Sequence, residues 1–422
     1  ASGRRTDLSR IVVEHAVDFL APGRAASDIL FTGQTASPMG AALAGGMTID
    51  SVDAHDGHSL TKGHAGAAVV PALHAFASAA HRGGRTLSGR EFLTMLAVGY
   101  EVSLRAGICL HATAGDYHTS GAWNALGCAA IGARCLELTS EETRHALGIA
   151  EYHGPRSQMM RCIDHPTMLK DGSGWGAMCG VSAALLAGAG FSGAPAVTLE
   201  YPEARPFWED LGTRWELLNQ YFKPYPVCRW AQPAIAAVAD LMQSHPLDHA
   251  AIAEVEVTTF HEALRLAGHA PRTTEEAQYA IAFPVAAFIV TGDLGVEQLV
   301  GDALKDADIL ALSRKIRIRE SARYNERFPA ERWADVRLTL ASGDVIESAP
   351  TVPPGEADRP LTDRQIRRKF ERICAPSLDA RTTRRLHDAI MDLSDPGRPV
   401  TALLDLLRTP VQPPDFRRNK RH

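Results

Sequence analysis

The chain has 422 residues, of which 45% are hydrophobic and 22% charged, and its formal net charge at pH 7 is −5. This length and composition are typical of a globular protein with large buried cores, and they exclude a disordered or fibrous chain. Basic and acidic residues are mixed along the sequence, so no charged field indicates a nucleic acid or a membrane as partner.

The seven cysteines form no C-x-x-C pair, and most have small apolar neighbours. Such cysteines are typical of a reduced core, so we expect a cytoplasmic protein without a disulfide framework. The polar start shows no secretory signal, and apolar runs such as 280–290 are too short to span a bilayer. The basic run 417–422 is predicted to be a solvated tail.

Residues 1–222 predict mainly helix. Capping boxes at 88–91 and 139–142 each precede an apolar pattern of helical period. Between them the chain is rich in Ala and Gly, whose small side chains let helices pack closely. We therefore predict a large helical domain over 1–222.

The pattern changes after residues 223–226 (KPYP), where alternating strands appear among shorter helices. The predicted strands are 252–259, 315–319 and 335–340, with a hairpin turn within 340–346, and the predicted helices are 233–242, 279–290 and 296–299. This predicts a smaller α+β domain over 223–358, after which a helix over 377–393 returns to the first domain and 359–422 completes it. The fold class is mainly α.

The first polar cluster is the run 53–58 (DAHDGH) with 61–64 (TKGH) just after it. Asp53, Asp56, His58 and His64 suit proton transfer, because a carboxylate can hold a histidine as a base near neutral pH. Asp/His clusters also bind metals, but no H-E-x-x-H or other defensible ligand spacing is present, so no metal is predicted. A solvated polar loop is the simpler alternative.

The second cluster is 116–121 (DYHTSG), which opens a predicted helix capped by Thr119 or Ser120. A helix N-terminus binds anions, so a substrate carboxylate is expected to dock there while His118 or Tyr117 moves a proton. An ordinary cap beside an exposed histidine is the alternative.

Two further sites carry lysines. Lys170, in 170–175 (KDGSGW), is read as a base beside apolar Met168 and Trp175, as a fixed positive charge, or as a surface turn residue. Lys223 and Arg229 flank rigid prolines at the predicted domain junction, so they either point into an interdomain cleft or belong to a stiff linker. The match of 188–193 to G-x-G-x-x-G follows a helix rather than a strand and is dismissed.

These clusters, in this order, resemble the MmgE/PrpD family, which includes 2-methylcitrate dehydratase, cis-aconitate decarboxylase and iminodisuccinate epimerase. The resemblance covers most of the chain and is clearest in 51–72, 99–105, 117–133, 169–193, 223–238 and 278–294. It implies a helical domain with a smaller α+β lid, a small di- or tricarboxylate substrate, and no metal or organic cofactor. It also implies that the opening helix of the family would precede Ala1.

The resemblance implies site residues by motif. The family's aspartate-rich motif falls on Asp53, Asp56, His58 and His64; its next histidine, central lysine, K-x-Y-P lysine and lid tyrosine fall on His118, Lys170, Lys223 and Tyr279. The chain departs from the pattern at His55, Gly57 and Ala65. Cys228 replaces a histidine of the decarboxylase-like members, which argues against decarboxylation.

We therefore predict a cofactor-independent enzyme that removes a proton next to a carboxylate of a small di- or tricarboxylate. Dehydration by a hydro-lyase is the first expectation, and epimerisation of an amino dicarboxylate is the second. His118 or Tyr117 and Lys170 are the predicted base and acid, with His58 and His64 supported by Asp53 and Asp56. Lys62, Lys170, Lys223, Arg229 and Tyr279 are predicted to bind substrate. The competing hypotheses are a metal-dependent hydrolase and a non-catalytic carboxylate-binding protein; a homodimer is expected.

Overall fold

The computed structural model describes residues 1–411, so the predicted basic tail at 417–422 lies outside the described residues. Within them the fold is mainly α with a smaller α+β region, which confirms the predicted fold class. The first nine helices are α1 Asp7–Phe19, α2 Pro38–Asp50, α3 Gly66–Arg82, α4 Gly89–Thr113, α5 Ser120–Cys135, α6 Ser140–His153, α7 Met160–Asp164, α8 Ser173–Gly188 and α9 Val197–Glu200.

Helices α2, α4 and α6 begin at residues whose side chains cap the first turn. Both predicted capping boxes form: Ser88 with Glu91 starts α4, and Thr139 with Glu142 starts α6. Helices α5 and α8 meet backbone to backbone, since a Cβ placed on Gly176 would lie 2.5 Å from the carbonyl oxygen of Gly121. The small residues in both helices therefore allow the close packing that the sequence predicts.

Helix α4 is longer and more apolar than the runs that the sequence analysis considered too short to span a bilayer. Its length and composition would suit a membrane crossing, but 56% of its most apolar window is buried in the fold. It also carries the buried ion pair of Arg105 with Glu101, with Nε 2.6 Å from the carboxylate. Burial and a paired charge are typical of a core helix.

The α+β region contains α10 Gln232–Ser244, α11 Thr274–Gln278, α12 Ala282–Thr291, α13 Ala307–Ser313 and α14 Ala322–Asn325, with β5 Ile252–Thr259, β6 Ile316–Glu320, β7 Asp335–Leu340 and β8 Val345–Glu347. The sheet order is β6-β5-β7-β8; β5 is parallel to β6 and antiparallel to β7, and β7 and β8 form the predicted hairpin. Alternate residues of β5 are buried against α10 and α12, as its period of two predicts.

Three more helices follow, α15 Asp363–Cys374, α16 Ala380–Met391 and α17 Thr401–Arg408. Their apolar residues, among them Leu386 and Leu404, share one buried cluster with α1 to α5 and α8. A second cluster joins the sheet, α10 and α12 to Met159, Cys162 and Ile163 near α7. On this packing we keep the division at 222 and 358 as a proposal.

The remaining strands are short. β1 Ser27–Asp28 pairs with β2 Thr35–Ala36, and β3 Asp56–His58 pairs antiparallel with β4 Gln220–Phe222. The β3–β4 pair matters for function, because it brings the first polar cluster beside Lys223, which follows β4 directly.

Candidate active site

A buried ion pair forms the centre of the site. Asp56 lies opposite Phe222 in the β3–β4 pair, so the residues just outside both strands face each other. The ammonium of Lys223 lies 2.5 Å from Oδ1 of Asp53, and neither residue is more than 1% exposed. Buried charges are costly unless they are paired, so this contact fixes the position of both side chains.

A cavity of about 320 Å³ opens beside this pair. Five of its lining residues are basic and two are acidic: Lys62, Lys223, Arg229, Arg265 and Arg332 against Asp53 and Glu262. His64, Tyr117, Tyr221, Cys228 and Tyr279 also line it, with Met159, Met160, Ile163, Trp230 and Phe328 as apolar wall. A small cavity with an excess of positive charge suits a small anion.

His64 is the histidine of the cavity wall. Its Nδ1 lies 2.5 Å from the carbonyl oxygen of Asp56, which can only accept, so Nδ1 carries the proton and Nε2 is left with a lone pair. Burial, and then the charge of Lys223, holds the pKa of His64 well below its usual range. The neutral ring can therefore accept a proton at Nε2.

His55 lies next to His64 and was named in the sequence only as a departure from the family pattern. The two ring centroids are 4.2 Å apart. Nε2 of His55 lies 3.3 Å from Asp50 and 3.4 Å from Asp53, so it bridges two buried carboxylates. Burial alone would raise the pKa of Asp50, but the hydrogen bond and electrostatic attraction of His55, together with Lys170 and Ser173, outweigh it and the pKa is lowered.

The same residues are the ones that could hold a metal ion. One donor atom each from Asp53, His55 and His64 lies within 4.8 Å of the other two. One carboxylate and two imidazoles form a plausible ligand set for a divalent ion. The ammonium of Lys223 already sits on the Asp53 carboxylate, so a metal would have to compete with it.

Lys170 lies beneath the cavity rather than in its wall. Its ammonium donates to Oε1 of Gln278 at 2.6 Å and lies 4.7 Å from the centre of the Tyr279 ring. Met168 and Trp175, expected to surround it, are 39% and 50% exposed, whereas Lys170 is 1% exposed. Lys170 is thus placed to position Tyr279, whose hydroxyl is held protonated because burial raises its pKa well above the usual range.

The lid side of the cavity presents two arginines. The guanidinium of Arg229 is paired with Glu356 and lies 4.1 Å from the centre of the Tyr221 ring. Within residues 1–411, Nε and Nη1 of Arg229 and Nε of Arg332 are buried without a hydrogen-bond partner. Buried guanidinium donors left unpaired in a cavity are suited to a carboxylate, which accepts two parallel hydrogen bonds.

Lys62 and Tyr117 form the opposite edge. The Tyr117 hydroxyl donates to the carbonyl oxygen of Lys62, and the Lys62 ammonium lies 5.3 Å from the centre of the Tyr117 ring. Asp53, Lys62 and Lys170 all have positive φ, at 47°, 53° and 49°. Non-glycine residues held in this region cluster at functional sites, where the surrounding contacts enforce the strain.

Besides Lys170, three predicted site residues lie outside the wall of this cavity. His118 is not in its wall: its backbone N–H donates to His111 at 3.2 Å, and the two rings are 6.2 Å apart. His58 lies in a neighbouring cavity, with Nε2 3.2 Å from Glu216. The carboxylate of Asp56 accepts a hydrogen bond from the backbone N–H of Gly66 at 3.3 Å. Asp56 holds His64 through its backbone carbonyl oxygen and not through its side chain.

The expectation that a substrate carboxylate docks at the start of α5 is also wrong. Thr119 is the cap residue, as predicted, but the carboxylate at that position belongs to the protein. Asp171 accepts from the backbone N–H of Ser120 at 3.1 Å and from its hydroxyl. Burial, and then Asp50, raises the pKa of Asp171 above its usual range.

Sequence reasoning missed Arg332, Gln278, Asp171 and the bridging role of His55. Arg332 lies in an ordinary loop before β7, and a lone arginine gives no signal of the cavity that it lines. Asp171 directly follows Lys170 and could have been noticed as part of that motif. The only sequence signal for Gln278 was its position next to Tyr279, a predicted site residue.

The structure thus combines a mainly helical fold, a smaller α+β region, and a cavity with an excess of basic residues beside the buried Lys223–Asp53 pair. The MmgE/PrpD N-terminal domain matches residues 1–204, and the MmgE/PrpD C-terminal domain matches residues 225–395. The chain belongs to the MmgE/PrpD family.

Two fungal proteins illustrate the similarity. A cis-aconitate decarboxylase-like protein, oryM, of Aspergillus oryzae is 24% identical over 412 residues, which covers 88% of this chain and 82% of the relative. Cis-aconitate decarboxylase of Aspergillus terreus is 22% identical over 453 aligned residues, covering 98% of this chain and 89% of the relative.

Proposed function

We propose that this protein is a cofactor-independent lyase that abstracts a proton next to a carboxylate of a small di- or tricarboxylate and then eliminates water. Family membership and the two fungal relatives support the general part of this proposal, namely a lyase-type enzyme that acts on a carboxylate. The observation that carries the proton abstraction is His64, a neutral imidazole with a fixed tautomer beside the Asp53–Lys223 pair.

The charges of the cavity support the substrate class. Arg229 and Arg332 on the lid offer buried N–H donors for one carboxylate. Lys223 and Lys62 on the other side can neutralise a second carboxylate, where negative charge builds as the proton leaves. A ligand with two carboxylates would satisfy both groups of cations.

The residues account for each proton in a dehydration. The C–H bond next to the carboxylate breaks, and its proton goes to Nε2 of His64 while the electron pair enters an enolate held by Lys223. The carbon–carbon double bond then forms as the β-hydroxyl leaves, and the Tyr279 hydroxyl supplies the proton that makes it water. Proton return from His64 to Tyr279 through solvent restores the site.

We prefer dehydration over decarboxylation because of one residue, Cys228. Cys228 lines the cavity and is buried, and burial raises the pKa of its thiol to about 11. Decarboxylase-like members of the family carry a histidine at the position of Cys228. A group that titrates near neutral pH and could protonate carbon after loss of CO₂ is therefore replaced here by a thiol.

Epimerisation is the second candidate, because the cavity holds two separate proton-transfer groups, His64 and Tyr279. If Tyr279 returns the proton to the face opposite His64, the product is an epimer and no water is lost. A proton-NMR screen in heavy water with 2-methylcitrate, citrate, cis-aconitate and iminodisuccinate separates the candidates. A new alkene signal from citrate or 2-methylcitrate supports dehydration, and deuterium incorporation without a new alkene supports epimerisation.

The other functional expectations stay predictions with their own tests. Stoichiometric zinc or iron in the active protein, lost together with activity on chelation, would favour the metal-dependent hydrolase and the Asp53–His55–His64 group. Binding without any deuterium exchange would favour a non-catalytic carboxylate-binding protein. Light scattering tests the homodimer.

A further inference from the structure

A second and larger cavity lies behind the candidate active site. It has a volume of about 660 Å³ and lies between α10, α15 and the segment 351–361. Four basic residues line it, Arg359, Arg368, Lys369 and Arg372, against the single carboxylate of Asp240. None of these residues takes part in the reaction proposed above.

Two of these cations hold the backbone that carries the catalytic ion pair. The ammonium of Lys369 donates to the carbonyl oxygen of Ala54 at 2.7 Å, and Ala54 directly follows Asp53. The guanidinium of Arg372 donates to the carbonyl oxygen of Pro224, and Pro224 directly follows Lys223. Both partners of the Asp53–Lys223 pair are therefore one residue away from a side chain of the second cavity.

We propose that this second cavity binds a small, multiply charged anion bearing phosphate or several carboxylate groups, and that its occupant adjusts the Asp53–Lys223 pair. Arginine and lysine side chains that converge on a concave site are the groups that recognise such anions. Coupling follows because an anion competes with the Ala54 and Pro224 carbonyls for the same N–H donors.

The local electrostatics favour an anion at this place. Burial, and then the charges of Lys223 and Arg372, lowers the pKa of Lys369 to about 8, although Asp56 opposes the shift. A bound anion would offset this repulsion among cations. Arg359 and Arg368 are exposed at the rim, so they can be replaced without disturbing buried packing.

Isothermal titration of the full chain with inorganic pyrophosphate or tricarballylate, at constant ionic strength, tests the binding. For pyrophosphate we expect one saturable site per chain, at least tenfold weaker in the double variant Arg359→Gln/Arg368→Gln. Tricarballylate can also enter the proposed catalytic cavity, so its binding to the second cavity is measured in Arg332→Gln. The tighter of the two probes tells phosphate from carboxylate recognition. Arg364→Gln is the matched control, because Arg364 is exposed on the same helix but does not line the cavity; its binding should stay within twofold.

Three results would overturn the binding site. These are no saturable binding of either probe, an equal loss in Arg364→Gln, and a loss of pyrophosphate binding in Arg332→Gln, which would place that anion in the catalytic cavity. Hydrogen–deuterium exchange tests the coupling: the bound probe should change exchange in 53–58 and 223–228, and binding without that change would contradict it. Neither measurement needs turnover, so both can fail or succeed independently of the proposed lyase activity.

Discussion

The ammonium of Lys223 and the carboxylate of Asp53 meet at 2.5 Å, and both residues are buried in the wall of the candidate active site. The two residues are 170 positions apart in the chain, and the short β3–β4 pair brings them together. Each charge depends on the other for its burial. The pair therefore links the stability of the fold to the positive charge that the proposed reaction needs.

Replacing Lys223 with methionine should damage both stability and activity. The Asp53 carboxylate would be left buried without its partner, so we expect the free energy of unfolding to fall by about 3–5 kcal/mol. Loss of the charge that stabilises the enolate should lower kcat roughly 100- to 1,000-fold. Urea denaturation and initial rates measure the two effects.

Lys62→Met is the matched control for Lys223→Met. Lys62 lines the same cavity but is partly exposed. We expect it to raise KM while the free energy of unfolding stays within about 1 kcal/mol of the parent. Equal destabilisation by both substitutions would show that the Lys223–Asp53 contact has no special role in stability.

The assignment of the base is tested by two histidines. We expect His64→Gln to lower kcat roughly 100- to 10,000-fold, because it removes the general base. His118→Gln should change kcat less than about threefold, since His118 lies outside the cavity wall. Steady-state kinetics of both variants decide the matter; the opposite ranking would restore His118 as the base that the sequence predicts.

Local sequence patterns predicted the elements well. The strands at 252–259 and 335–340 and both capping boxes are read from neighbouring residues, so they need no knowledge of the tertiary structure. The family resemblance added the order of the polar clusters. Both sources identified Lys223 and His64, which lie within motifs.

The direction in which each side chain points could not be read from the sequence. His118 and His64 both lie in polar motifs beside α5 or α3, and only the packed structure shows which one lines the cavity. Arg332 enters the site because the chain after α14 folds back over it, a long-range contact without a local signal. Asp171 filled the start of α5, a position that the sequence left open for substrate.

Replacing Tyr279 and Tyr117 with phenylalanine, one at a time, distinguishes proton donation by a hydroxyl from packing of its ring. Tyr279→Phe keeps the ring beneath which Lys170 lies but removes the proposed acid, so kcat should fall roughly 100-fold or more with little change in the unfolding transition. Tyr117→Phe loses only the hydrogen bond to the Lys62 carbonyl, and we expect less than a tenfold effect. Equal losses in kcat would remove Tyr279 from the role of acid.

Arg332 should act on binding rather than on chemistry. Its planar guanidinium suits a carboxylate, and lysine cannot reproduce that geometry, so Arg332→Lys should raise KM about tenfold with kcat within about threefold. Arg327→Lys is the control, because Arg327 is exposed and pairs with Glu331 outside the cavity. A fall in kcat at unchanged KM would contradict a binding role for Arg332.

The stability of the protein should decrease in mild acid because of buried histidines. His74 is 2% exposed, and burial lowers its pKa to about 4. Below about pH 6.5, His74 binds a proton in the unfolded chain but stays neutral in the folded protein. The free energy of unfolding should therefore fall between pH 6.5 and about 4, by roughly 1.4 kcal/mol per pH unit from this group, with no such slope above pH 6.5.

Urea titrations of the parent and of His74→Gln between pH 7 and pH 5 measure that slope. In His74→Gln the slope of the free energy of unfolding against pH should decrease by the contribution of one proton. His15→Gln, which alters an exposed histidine, should keep the slope of the parent. An unchanged slope in His74→Gln would show that His74 takes up its proton equally in the folded and unfolded chain, so that burial does not lower its pKa.

Proton NMR in heavy water tests the central claim most directly, namely that His64 removes a proton next to a substrate carboxylate in the cavity around Lys223. With the parent protein and an accepted di- or tricarboxylate, we expect the C–H signal beside the carboxylate to disappear, and His64→Gln to slow this loss at least 100-fold. Exchange at the parental rate in His64→Gln, or substrate turnover that leaves that C–H bond intact, would contradict the account.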